Sequence, residues 1–588
     1  MEVTRTFDLV EYINLKYPKE DIFAGKINNE WKKYSTLDYR EYSNLISYAL
    51  LELGFKKGDK IVTVTHNQPE WNFIDFGMAQ IGVVHVPVYP NISEEDYTHI
   101  FNHSDAKAIF VSDNILLKRV QNSIKASQQI INVFSISNCD GIRSFNDLIN
   151  IGKQTAEKHA NELEIIRDNI SKNDLVTIIY TSGTTGLSKG VMLSHNNLVV
   201  NAISSSKIQP LNNKHRVLSF LPLCHVYERM INYHYQYLGI SIYYAENLGT
   251  IAINLREINA HGMCSVPRVL ENIFDKINSA GKDLNGFKKK IFYWALNLAL
   301  KFEVDGKNGW FYSQKLKLAD KLVYSKWRKS LGGNLQIIIS GGSAIQIRLL
   351  KLFWAIKIMT IEGYGLTETS PVLSCNLPRK GGVKFGTVGK ILENIEVEIA
   401  PDGEIISRGP CVMLGYYKDD VATKEVIDKN GWFHTGDIGK IENGFLTITD
   451  RKKEIFKNSG GKYVAPQLIE NKCKESNFIE QVFIVGENEK YTAAVISPNF
   501  NHLHFWAAKH KQHFRDNHEL ILNTKVLERI HKEIVCVNLK LSPHEQIKKF
   551  KLTTDEWTPQ SGELSPTLKL RRKVLFKKYD HYVKEMFL

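Results

Sequence analysis

Four short, almost continuous apolar runs restrict what this chain can fold into: Lys60–Thr65 (KIVTVT), Val83–Val88 (VVHVPV), Leu175–Tyr180 (LVTIIY) and Leu335–Ser340 (LQIIIS). Runs of this length, rich in β-branched residues, read as strands, and the last two as buried ones. Helical patterns interleave with them. Ser35–Leu53 repeats Leu37, Tyr42, Leu45, Ile46, Ala49, Leu50 and Leu53 at helical spacing, and Gly54 stops it. Pro69–Gly82 reads as a further helix between the first two strands. Such alternation predicts an α/β fold with a parallel sheet covered by helices.

At 588 residues the chain is too long for one core, so at least two domains are expected. The net charge of +13 is spread along the chain. It suits phosphorylated ligands or an anionic membrane surface, and most of the lysines read as solvated surface. No nucleic-acid partner is expected. Seven scattered cysteines without a CxxC pair indicate neither a disulfide framework nor a zinc site, and point to a reducing cytoplasm. The N-terminus MEVTRTFDLVEYINLKY lacks the apolar core of a secretory signal. No run of about 18 apolar residues exists to span a bilayer, so membrane contact would be peripheral.

The segment after LVTIIY carries the clearest chemistry. Thr181–Gly190 (TSGTTGLSKG) combines three glycines with the hydroxyls of Thr181, Ser182, Thr184, Thr185 and Ser188 and with Lys189. Glycines let backbone N–H groups converge on an oxyanion, and the lysine adds charge, which suits a triphosphate. Ser188 stands where a Walker loop needs its second glycine, so this is not a Walker loop, and a flexible surface loop is the alternative reading. Val191–Leu193 resumes the apolar pattern, and Ser194 reads as the cap of a helix starting near Asn196.

YTSGTTGLSKGV (from Tyr180) resembles the phosphate-loop signature of the adenylate-forming (AMP-binding) superfamily. Further motifs follow in that family's order: LPLCHVYER (221–229), GGSAI (341–345), IEGYGLTETS (361–370), HTGD (434–437), DRKKEIFKNSGGKYVAP (450–466) and SGELSPTLKLRR (561–572). The phrases GFKKGDKIVTVTHNQPEW and GVVHVPVYP resemble its N-terminal region. VPRVLENIFDKI (266–277), with Val269, Ile273 and Ile277 on one face, an insertion holding WAL (294–296), and the PTLKL form of the last motif resemble the long-chain fatty acyl-CoA synthetase branch.

This resemblance implies site roles, residue by residue. Thr181, Ser182, Gly183, Thr184, Thr185, Gly186 and Lys189 would hold phosphates; Gly342, Ser343, Ala344, Glu362, Gly363, Tyr364 and Gly365 would hold the adenine side of ATP. Thr367 would contact the α-phosphate, and Glu368, with Thr184, would hold Mg²⁺. Asp437 and Arg451 would take the ribose, and His225 would line the acyl pocket. Lys569 would be the catalytic lysine, Lys453 a hinge, and Gly460 and Gly461 the passage for CoA. One departure stands out: Leu568 precedes Lys569, where many relatives have glycine.

The implied architecture is a large N-terminal domain over 1–449, containing a β-rich subdomain near 393–449, and a small mobile α+β domain over 450–588. Asp402–Ile406 and Gly444–Thr449 read as adjoining strands, and Leu520–Leu539 as one helix. Lys288–Trp327 reads equally as a surface hairpin or as a tunnel wall. The implied reaction is ATP-dependent activation of a long-chain fatty acid to acyl-AMP and then acyl-CoA. The alternatives are a ligase that passes acyl-AMP to another acceptor, and an inactive nucleotide- or fatty-acid-binding protein.

Overall fold

In this computed structural model, residues 1–181, 188–565 and 568–588 are described. Two large sheets carry most of the chain. In the first, Lys60–Val64, Val84–Val88, Ala108–Val111 and Leu175–Thr181 are linked by parallel pairings. Lys189–Ser194 runs back antiparallel to Leu175–Thr181 and sets Lys189 opposite Thr181. The second holds the parallel strands Arg216–Ser219, Ser241–Tyr244, Gly262–Ser265, Ile337–Ser340 and Met359–Gly365. The expected α/β architecture is therefore present, and all four apolar runs lie in these sheets.

Local chemistry places the helices. Ser35 and Asp38 close a capping box on Thr36–Glu52, and Gly54, at φ +83°, ends that segment. The helix predicted over Pro69–Gly82 ends earlier, at Ala79. Ser194 caps His195–Ser206 through the Asn197 backbone, so the helix starts one residue before the expected point. A 24-residue helix, Phe145–Asp168, precedes the strand Leu175–Thr181. It lies so close to Thr36–Glu52 that a Cβ on Gly152 would stand 2.2 Å from the Leu45 carbonyl oxygen.

Two expectations need correction. Glu404–Arg408 and Phe445–Arg451 do not adjoin, because Phe433–Glu442 pairs between them in a four-stranded antiparallel sheet. The helix expected over Leu520–Leu539 is two helices, Asn517–Leu522 and Thr524–Asn538, divided at Asn523, whose side chain caps the second. The helix Pro267–Lys282 buries Leu270, Phe274, Ile277 and Gly281, and the expected face of Val269, Ile273 and Ile277 lines a cavity.

The main core runs from Val3 to Leu446. Separate clusters around Val464–Leu552 and Phe483–Met586 form the core of a smaller unit. Its three-stranded sheet, Ile479–Val485, Thr492–Pro498 and Ile547–Leu552, is packed with helices in an α+β arrangement. Arg348 donates to the Glu475 carbonyl (3.2 Å), and Arg268 pairs with Glu480, so the smaller unit is fastened to the larger one. All seven cysteines are unpaired.

Candidate active site

A cavity of about 2440 Å³ lies at the carboxyl ends of Ile337–Ser340 and Met359–Gly365, where ligands bind in open α/β sheets. Thr181 and Lys189 reach it from the first sheet, and Gly342, Ser343, Ala344, Glu362 and Gly363 from the second. Asp437, Arg451 and Lys453 enter from the antiparallel hairpin and its end, and Lys569 from the C-terminal segment. Residues far apart in sequence thus meet at one site. Ser182, Gly183, Thr184, Thr185 and Gly186 lie outside the described residues.

Strand register explains one pair directly. Asp437 and Arg451 are opposite one another in the hairpin, and Arg451 Nε lies 3.0 Å from Asp437 Oδ1. The Tyr364 hydroxyl donates to the other oxygen (2.7 Å), so the carboxylate is held from two sides. Gly365, just beyond Tyr364, is a packing requirement, because a Cβ there would stand 1.6 Å from the Pro371 carbonyl oxygen. Thr367 follows in a buried 3₁₀ turn. Glu368 accepts the Tyr416 hydroxyl on Oε1 (2.9 Å).

His225 caps the helix Val226–Tyr237, its Nδ1 accepting the Tyr227 N–H (3.2 Å). Asn67 grips the preceding loop at Leu221 and Leu223. Burial, aided by the charge of Lys569, lowers the His225 pKa to about 4. The ring is therefore neutral, and with Nδ1 accepting, its proton sits on Nε2. Glu362 accepts the Ile345 N–H (3.2 Å), and burial pushes its carboxyl up to about 8.

Lys569 is open to the cavity yet enclosed by protein. That desolvation, together with the positive charge of Arg451, lowers it to about 8 against the opposing pull of Asp437, Glu454 and Glu368. Its backbone is pinned through Ser565, whose N–H donates to the Lys569 carbonyl (2.8 Å). Leu568 adopts φ +60°, the left-handed region that glycine occupies freely.

Gly460 and Gly461 do not reach the cavity. They lie in the turn between Phe456–Lys457 and Tyr463–Val464, with open space around the Gly461 Cα. Tyr416 was missed by the sequence analysis. It holds Glu368 and sets its ring 4.9 Å from the Lys189 ammonium. Only the pairing of Gly415–Tyr416 beside Val191 and Met192 brings it there, and no local motif announces it.

One arm of the cavity is rich in apolar side chains, interleaved with Arg256, Asn272, Lys276 and Lys326. Leu255, Val269, Ile273, Ile277, Trp327 and Leu331 line it. Of the segment Lys288–Trp327, only its end touches this arm, through Lys326 and Trp327. The rest forms helices packed alongside.

Residues 13–417 match the AMP-binding enzyme family, and residues 454–588 match the AMP-binding enzyme C-terminal domain. The chain belongs to the AMP-binding enzyme family. It is 30% identical over 581 residues to the long-chain-fatty-acid–CoA ligase FadD15 of Mycobacterium tuberculosis, covering 97% of this chain and 95% of that one. Long-chain-fatty-acid–CoA ligase 1 of Homo sapiens is 31% identical over 594 residues, covering 95% and 82%. Among solved structures, the adenylation domain of a carboxylate reductase from Mycobacterium chelonae superposes with a TM-score of 0.76 at 18% identity, covering 99% of this chain and 91% of that one. A Mycobacterium tuberculosis fatty acyl CoA synthetase superposes with a TM-score of 0.63 at 18% identity, covering 98% and 99%. These two show a shared fold with this AMP-binding enzyme.

Proposed function

We propose that this enzyme activates a long-chain fatty acid with ATP, forming acyl-AMP and pyrophosphate, and then transfers the acyl group to CoA with release of AMP. One observation carries the reading: a single cavity is lined both by the charged cluster of Lys569, Arg451, Asp437 and Glu368 and by the apolar side chains around Ile273 and Trp327. A nucleotide suits the first part, and an alkyl chain suits the second. The full-length likeness to curated long-chain-fatty-acid–CoA ligases supports the same substrate class.

In the first half-reaction the acyl carboxylate attacks the α-phosphorus and pyrophosphate leaves. Two anions approach, so preorganised positive charge and hydrogen-bond donors matter most. Lys569 supplies a charge, Thr367 a hydroxyl, and neutral His225 an Nε2–H donor for a carboxylate oxygen. No general base is required, because a fatty acid is ionised at neutral pH. Tyr364, Asp437 and Arg451 would fix the ribose and base, with the phosphate-loop hydroxyls and Lys189 on the triphosphate.

The donor set fits Mg²⁺ carried by ATP. No group of three or more potential protein ligands exists among the described residues, and one carboxylate plus phosphates and waters is the usual arrangement for this ion. Glu368 would hold it, joined by Thr184. The ion would supply Lewis-acid charge at the phosphates.

For the second half-reaction, the C-terminal unit would turn about Lys453, withdraw Lys569 and present Gly460 and Gly461 to the pantetheine arm. A reducing cytoplasm is the proposed location, a reading supported by seven unpaired cysteines. No helix among the described residues is long and apolar enough to cross a membrane.

The test is AMP release from ATP with Mg²⁺ and CoA across acetate, octanoate, palmitate and amino acids. Palmitate-dependent AMP that also requires CoA is the expected outcome. Pyrophosphate release with palmitate, but no turnover on adding CoA, would indicate a different acyl acceptor.

A further inference from the structure

The helix Val226–Tyr237 turns one face to the cavity. Tyr227, Ile231 and His234 recur at helical spacing and all line it, as does His225 at the helix start. His234 lies nine residues beyond His225, about 13.5 Å along the helix. Around His234 the wall is completed by Ser205, Ile208 and Gln209, from the end of His195–Ser206 and just beyond it.

The polar groups at this depth form a cluster that adenylation does not use. The Ser205 hydroxyl lies 2.8 Å from His234 Nδ1, and the Gln209 amide meets His234 Nε2. None of the three residues is more than 9% exposed. Burial lowers the His234 pKa to about 3, so the ring is neutral. Gln209 Oε1 has no hydrogen-bond partner among the described residues. Turning the amide over changes only which end is open: the ring then meets the oxygen, and the NH₂ group is left over. A buried amide with one end unpaired is costly, and this one borders a cavity.

We propose that Gln209, with His234 and Ser205, binds a hydroxyl group borne midway along the acyl chain, and that the preferred substrate is a hydroxylated long-chain fatty acid. With its carboxylate at His225, an extended chain following the helix comes level with His234 at about its tenth carbon. A hydroxyl both donates and accepts, so it satisfies the open end of Gln209 in either orientation. An unsubstituted methylene chain leaves that end unpaired. A second carboxylate is disfavoured, because Ser205, Ile208, Gln209, Ile231 and neutral His234 offer it no positive charge. The inference rests on the proposed fatty-acid activation and narrows its substrate.

The experiment measures kcat/KM for AMP release by the full-length enzyme, with ATP, Mg²⁺ and CoA, on three acids: stearate, stearate hydroxylated at its tenth carbon, and stearate hydroxylated at its second. The tenth-carbon isomer should exceed both others at least about tenfold. Gln209→Leu removes the open amide at similar size and should bring the ratio of that isomer to stearate close to one. The ratio is taken within one enzyme, so it does not depend on how much of the variant folds, and the wild-type comparison stands without the variant. Equal values for the three acids in the wild type overturn the inference. So does an equal gain from the second-carbon hydroxyl, or a preference that survives Gln209→Leu. Silence with all three acids and with palmitate would instead overturn the synthetase reading, and this narrower one with it.

Discussion

Lys569 gives the sharpest prediction, because its environment sets both its charge and its reach. Its pKa of about 8 follows from enclosure in the cavity and from the nearby Arg451. About nine-tenths of the free enzyme then carries the ammonium at pH 7, and about one-tenth at pH 9. The kcat/KM for ATP in the adenylation half-reaction reports free-enzyme ionisations. It should fall about tenfold between those pH values in an ATP–pyrophosphate exchange assay. His225, lowered to about 4, contributes no acidic limb near 6.5. Lys569→Ala should reduce exchange by roughly 10²–10³-fold, the usual effect of removing one preorganised group from a developing anion. It should also abolish the alkaline limb, while Lys569→Arg should move that limb out of range. The stability sign is opposite. A lysine whose folded pKa is depressed opposes folding below about 8, and the penalty is relieved as pH rises from about 8 to the unfolded value. Lys569→Ala should therefore not lower the melting temperature at pH 7. A flat profile through pH 9, or an alanine variant keeping a tenth of wild-type exchange, would refute the reasoning.

Three further outcomes can be checked independently. The Lys453 N–H has no hydrogen-bond acceptor among the described residues, so Lys453→Pro removes rotational freedom rather than a bond; acyl-CoA formation should fall much more than pyrophosphate exchange, and equal losses would sink the hinge role. Gly365→Ala forces a Cβ against the Pro371 carbonyl and should destabilise by more than about 4 kcal/mol, seen as loss of folded protein or a large drop in melting temperature; an unchanged melt would contradict the packing. Ile273→Trp narrows the apolar arm and should cut AMP release with palmitate at least about tenfold while sparing shorter acids, measured as the ratio of the two; an unchanged ratio would exclude this arm as the chain's path.

Much of the fold was legible because its signals are local. Uninterrupted β-branched runs must be covered on both faces, and Ser35, Gly54 and Ser194 act on the backbone within a few residues of themselves. The order of Thr367, Glu368, Asp437, Arg451 and Lys569 along the chain was likewise readable from motifs. What failed was pairing over distance. The strand Phe433–Glu442 entered between two segments that looked adjacent, because strand neighbours are chosen by the whole sheet and not by proximity in sequence. Asn523 divided a continuous helical pattern because its side chain offered the backbone a cap.

The site shows the same division. Residue types and spacing alone marked a phosphate loop at Thr181–Gly190, and likeness to a family supplied the roles of the others. Only the tertiary structure set Asp437 across from Arg451, placed Tyr416 under Glu368 and Lys189, and enclosed Lys569 and His225 so that their proton affinities dropped. A sequence records which groups are available, but burial and electrostatic coupling arise from atoms that are remote along the chain, and they exist only once it has folded.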